Sequence, residues 1–208
     1  MCQDHDDIPN GAPAPVKRRG AWKRILRSED GAAAIEFTIL AIPYFLIVFA
    51  ILETFIAFTG EQLVSNAVDT MARQLRTGNI TYNLGRPTDM NQTQFRRAFC
   101  DEVSIIIQCS EQEIATPGKL LLDVRSFPNF SDIPLDIKLN SSSDLDTASF
   151  AFTPGAQNTI NMLRAYYRWS IITDLLRPLI ANIKPAGGDD SSYFLIVETA
   201  AFRNEDFP

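Results

Sequence analysis

The chain has a single histidine, His5, among its 208 residues. It precedes a long apolar run, so everything beyond that run is without imidazole. A Ser-His-Asp or Cys-His catalytic set is thereby excluded from the larger, C-terminal part, as is any histidine-rich zinc site. Gly-rich phosphate loops are missing, and so is the G-x-S-x-G turn of hydrolases. Positive charge is also short: 19 Lys/Arg stand against 25 Asp/Glu, giving net −6. Such a balance argues against a nucleic-acid partner. The acid pairs Asp144/Asp146 and Asp189/Asp190 lack complete EF-hand spacing and read as solvated loop acids rather than calcium ligands. The expectation is a non-enzyme with no catalytic, cofactor-binding or metal residues.

Long hydrophobic runs are scarce as well, and only one is long enough to span a bilayer. From Phe37 to Leu52 sixteen residues carry no charge, and 32–59 gives 28 residues interrupted only by Glu36 and Glu53. A spanning helix needs about 20 such residues. Pro43 lies inside it, which membrane helices tolerate. The run is too long, and no A-x-A site follows it, for an ordinary cleaved secretory signal.

Charge sets the direction. Residues 1–31 hold Lys17, Arg18, Arg19, Lys23, Arg24 and Arg27, and the first basic residue after the run is Arg73. The positive-inside rule places the N-terminus in the cytoplasm and residues from about 60 onward outside. Residues 32–208 carry net −7, so an acidic outer domain hangs on a basic stem.

Glu36 is the anomaly. A carboxylate near the centre of a membrane helix costs roughly 2.5–3.5 kcal/mol, less near an end. One reading keeps it at the headgroup level in contact with water. The other comes from its neighbours: a basic flank, Gly31, four small or apolar residues, Glu36-Phe37, then the apolar run. This resembles the processing site of type IV prepilins. More closely, Gly31-Ala-Ala-Ala-Ile-Glu36-Phe37 is similar to the start of TadE-like (TadE/TadG) pseudopilins of the Flp, or tight-adherence, pilus assembly systems of bacteria. Ala72–Gly78, Cys100 and Cys109, Tyr167-Arg168-Trp169 and Ala200–Glu205 resemble later blocks of that family.

The resemblance implies a minor pseudopilin of the bacterial inner membrane, active in pilus assembly and surface adhesion through helix packing. It implies cleavage between Gly31 and Ala32 by a prepilin peptidase, with Glu36 as the fifth residue of the product. Glu36, next to Phe37, would then pair with the new ammonium of a neighbouring subunit. Losing one member of a buried pair costs about 3–5 kcal/mol, so the acid would set register. The implied partners are the lipid bilayer, the peptidase, other pilins or pseudopilins, and Tad assembly proteins. The competing readings are a signal-anchored periplasmic enzyme built on carboxylates alone, and a single-span sensor or scaffold with no pilus role.

Beyond the span, Leu63, Val64, Ala67, Val68, Met71, Ala72 and Leu75 recur at three- and four-residue spacing and continue the helix as an amphipathic stripe to Gly78-Asn79. The segments are a tail or leader (1–31), a membrane helix (32–59), its amphipathic continuation (60–78) and an outer domain (79–208). In the outer domain a helix is expected over Phe95–Cys109, and strands over Leu120–Phe127, Asp136–Leu139, Thr159–Ile171 and Tyr193–Phe202. A short helix bent at Pro178 is expected in 173–183, and a turn at Gly187–Asp190. The fold class is α+β, pilin-like: a long N-terminal helix, then a small domain with an antiparallel sheet.

Of three cysteines, Cys2 lies on the inner side as a free thiol. Cys100 and Cys109 lie outside, where disulfides persist. On one unbroken helix they would stand about 13 Å apart, too far to bond. Either the helix ends near Ile106 or the two are unbridged; a bridge is the favoured outcome.

Overall fold

A computed structural model describes residues 29–188 and 191–207. The basic flank, Cys2, His5 and Asp189-Asp190 lie outside the described residues, as do the side chains of residues 29–32. The chain divides into two units at Ile47/Val48. One helix, α1 (Glu29–Arg76), contributes to both. It is the described part of the first unit.

In the second unit, α1 buries one stripe: Glu53, Ala57, Gly60, Val64, Ala67, Val68, Met71, Ala72 and Leu75. The spacing is that of one helix face. The stripe expected from Leu63 therefore starts ten residues earlier, at Glu53. The helix ends where Gly78 takes φ 74°. There the Gly78 N–H donates to the Leu75 carbonyl at 3.3 Å and the Ile80 N–H to that of Gln74 at 3.1 Å, which satisfies carbonyls of the last turn. A β-carbon on Gly78 would also lie 2.4 Å from the Phe207 ring, so backbone and packing both demand glycine.

Helix α2 (Gln92–Val103) opens with a reciprocal cap between Asn91 and Gln94 and buries Phe95, Phe99 and Val103. It stops at Val103, short of the expected Cys109. Ile107 then turns into the core. A short helix, α3 (Glu111–Ala115), follows, capped by Ser110. Sequence periodicity cannot show five residues as a helix.

The sheet contains β1 (Leu120–Phe127), β2 (Phe152–Thr153), β3 (Ile160–Trp169) and β4 (Phe194–Arg203), in the order β2-β1-β3-β4. The three long strands coincide with the expected ones and run antiparallel, with Leu122 opposite Ala165 and Ala165 opposite Glu198. β2 pairs parallel to β1, which makes the sheet mixed rather than purely antiparallel. The strand expected at Asp136–Leu139 does not form; only one bridge, Leu139 to Leu145, is made. The Asn140 carboxamide accepts from the Ser142 and Asp144 N–H groups and turns the chain there. In 173–183 the helix is only α4 (Arg177–Ile180), with Pro178 in its first turn rather than at a bend.

One sheet face packs Leu120, Leu122, Val124, Leu163, Ala165 and Ile196 against α1 and α2. The other packs Leu121, Tyr166 and Leu195 against Leu145, Ile183 and Tyr193 from the loops. A helix layer thus covers one side and loops the other, an α+β arrangement.

Glu198 sits on the helix-facing side of β4. Burial, then the nearby Glu61 and more weakly Asp69, push its carboxyl above the usual range, against an opposing Ser65 hydrogen bond. For an acid held high in the fold, the associated stability is present at low pH and lost as pH rises through the folded value. Glu198→Gln should therefore raise the melting temperature at neutral pH and leave it unchanged in acid. Equal melting of the two proteins at neutral pH would refute the repulsion.

Candidate membrane anchor and assembly surface

The residues singled out for assembly lie on an apolar helix that faces outward. From Ala33 the helix is long and apolar enough to cross a membrane. Phe37 is 70% exposed and Leu40 64%. The exposed apolar surface continues through Ile47 and Ile51 to Phe55 and Phe58. A monomer in water rarely keeps so large a contiguous apolar surface. The hydroxyls of Thr38, Thr54 and Thr59 donate to carbonyls four residues back, each at 2.8 Å, so these polar groups are satisfied within the helix. Gly31 and Ala32 lie in the first turns of α1. Glu36 is exposed and makes no ion pair or hydrogen bond with the described residues.

Glu53, the second acid of the apolar run, has a different setting. It is only 6% exposed. Its carboxylate accepts from the Ile172 N–H at 2.5 Å and from the Thr173 N–H at 3.2 Å. Two backbone donors thereby hold the charge that apolar surroundings would otherwise penalise. One turn on, Ala57 is buried. Beyond it a β-carbon on Gly60 would lie 2.7 Å from the Trp169 ring, so the absent side chain lets helix and strand approach closely. The signal for this contact was in the sequence: Glu53, Ala57, Gly60 and Val64 follow helical spacing. A reading centred on hydropathy treats such an acid only as an interruption of the run.

The second unit is held by similar charge-to-backbone contacts. Cys100 and Cys109 form a disulfide with Cα atoms 5.9 Å apart, possible because α2 has already ended. Closing so short a loop contributes about 2–3 kcal/mol in the chain-entropy account. Arg96, 3% exposed, donates to the carbonyls of Ile114, Glu113 and Leu120. Burial lowers its pKa from the ordinary guanidinium value, opposed by Glu113. Glu113 in turn accepts from the Gly118, Lys119 and Leu120 N–H groups at 2.8–2.9 Å.

Asp144 is not the solvated loop acid expected. It pairs with Arg168 at 3.1 Å and accepts from the Tyr193 hydroxyl at 2.5 Å. Burial and that hydrogen bond push Tyr193 up to about 12. Asp123, 1% exposed, is held by Arg125 and by the Ala151 N–H, and so fixes β2 to the sheet. These carboxylates have structural partners that hold them in place. Among the described residues no cluster of His, Cys, Asp or Glu suited to a metal ion is present.

Residues 31–73 match the family model described as TadE-like protein. This segment is TadE-like. The match begins at Gly31, covers the exposed apolar surface and Glu53, and ends in the buried stripe that packs on the sheet. No curated protein and no solved structure matches the chain. The match covers 43 of the 208 residues. The TadE-like segment includes both assembly candidates, Glu36 and Phe37, and the Gly31–Ala32 bond.

Proposed function

We propose that this protein is a minor pseudopilin of the bacterial inner membrane that takes part in building a Flp, or tight-adherence, pilus and so in surface adhesion. The observation that carries the reading is the TadE-like helix, which leaves its apolar side chains from Phe37 to Phe58 outward while the same helix packs into the outer domain from Glu53 onward. In this arrangement residues 32–59 enter the bilayer with the N-terminus in the cytoplasm, residues 60–78 continue the helix, and residues 79–208 form the periplasmic domain. Neighbouring pilins and other Tad assembly proteins pack against the outward side chains. A prepilin peptidase cuts between Gly31 and Ala32, and the new ammonium of one subunit meets Glu36 of the next. No catalytic step is required of the protein; contact is its mechanism.

N-terminal sequencing of the membrane form is the test. A chain beginning at Ala32 is the expected result. One that retains the residues before Gly31 sinks the processing step and favours a plain signal anchor. With cleavage intact, Glu36→Leu should abolish co-purification with pilin partners, because an unpaired buried ammonium costs about 3–5 kcal/mol. Wild-type assembly by that variant would remove the register role.

A further inference from the structure

The loop that carries α4 has an exposure pattern foreign to a water-facing loop. Ile172 is 80% exposed, Leu175 63% and Leu179 82%. These three large apolar side chains lie within eight residues. The loop is tied to α1 by the Ile172 and Thr173 N–H groups on the Glu53 carboxylate. That tie fixes its level along the helix. At this level α1 is still apolar outside: Ile51, Leu52, Phe55 and Phe58 are all at least half exposed, and Phe58 lies about 7 Å further along the axis. The loop's apolar side chains are thus held beside the outer turns of the helix surface that already requires a nonaqueous covering.

Cations occur at the same place. Arg177 of α4 donates to the Asp174 carboxylate at 2.5 Å and to the Ile171 carbonyl. Lys184 donates to the Pro178 carbonyl at 3.1 Å. A cleft of about 270 Å³ beside the loop is lined by Lys119, Arg168 and Arg177 with Ser170 and Ser191. Arg168 is paired with Asp144 and Arg177 with Asp174, whereas Lys119 and Lys184 make no ion pair among the described residues. Apolar tips flanked by Lys and Arg are what the acyl-chain boundary and the headgroup layer of a bilayer accept together.

We infer that the 171–181 loop is a second membrane contact: Ile172, Leu175 and Leu179 enter the outer interface of the bilayer that α1 crosses. This rests on the membrane reading of α1. Glu53 gains a role from it, since the amides that receive its carboxylate belong to an element sharing the interface. The covering is lipid rather than a protein partner because the Glu53 tie holds the loop at the level of the exposed apolar turns of the spanning helix.

Site-directed fluorescence on the full chain tests it. In a Cys2→Ser background, single cysteines at Leu175, Leu179, Leu135 and Ile47 would be labelled with an environment-sensitive dye. The proteins would be reconstituted in vesicles of phosphatidylcholine and phosphatidylglycerol, with and without lipids bearing a nitroxide just below the headgroup or, for the mid-span label at Ile47, near the end of the acyl chain. All four native side chains are exposed, so the labels leave the fold undisturbed. Leu135 is 90% exposed and lies outside the loop. The expected result is loss of most of the emission at Leu175→Cys and Leu179→Cys, as at Ile47→Cys, with Leu135→Cys unquenched. Quenching at Ile47→Cys alone overturns the loop contact and leaves the anchor standing. No quenching at Ile47→Cys removes both. Equal quenching at Leu135→Cys shows that the domain lies on the lipid without preference for this loop, and also overturns the inference.

Discussion

Phe99→Ala is expected to lower the unfolding free energy of the second unit by about 3–5 kcal/mol. Phe99 is fully buried on α2 and belongs to the cluster that joins the α1 stripe to the sheet. Its removal forfeits a large apolar transfer term. It also leaves a cavity among Phe95, Val103 and the α1 stripe that packed side chains refill only in part. Domain stability in this size range is about 5–15 kcal/mol, so the loss is a large share of the whole. Denaturant unfolding in detergent, followed by near-ultraviolet circular dichroism, measures it. Leu135→Ala is the reference, because Leu135 is 90% exposed and should change little. A loss below about 1 kcal/mol at Phe99, the scale of an exposed substitution, would show that the helix–sheet core is not the domain's main support.

The second large effect is expected at Glu53. Glu53→Ala removes the acceptor for the Ile172 and Thr173 N–H groups. A buried donor left without a partner costs about 1–3 kcal/mol, and bonds to a charged group sit at the upper end of the scale. The effect is local, because the buried stripe from Val64 to Leu75 does not involve the acid. Amide hydrogen exchange should therefore quicken at Ile172 and Thr173 and stay unchanged in β3 and β4. Glu53→Gln keeps one acceptor oxygen and should give an intermediate result. If exchange at Ile172 is the same in all three proteins, the carboxylate does not hold the loop. Together the two substitutions separate what supports the core from what ties a peripheral loop to the helix.

The contrast explains which parts of the molecule were readable beforehand. Helix α1 was legible because hydropathy and periodicity agree over many turns, from Phe37 to Leu75. Strands β1, β3 and β4 were legible because each is long enough to show its pattern. β2 was not: two residues, Phe152-Thr153, have no period, and they are held beside β1 by the Val124 N–H on the Ala151 carbonyl and by the Asp123 carboxylate on the Ala151 N–H. α3 is equally short. Its place depends on Arg96, eighteen residues away from Ile114, whose carbonyl it binds. The strand expected at Asp136–Leu139 was lost to a side-chain turn at Asn140, where local hydrogen bonding outcompeted the ladder. At the candidate assembly surface, Glu36 was conspicuous because it interrupts an apolar run. Asp144 was misread because its partners, Arg168 and Tyr193, are distant in sequence.

The sequence by itself determined that one apolar segment dominates this chain and where its exceptional acids lie. These are properties of composition and spacing, and they hold whatever the chain folds against. Only the tertiary structure decided what the two acids of that segment do. Glu36 stays outward beside exposed Phe37, whereas Glu53 turns inward to two amides more than a hundred residues away. The physical reason is that a carboxylate in apolar surroundings needs donors, and which donors reach it is fixed by how the later chain returns to the helix.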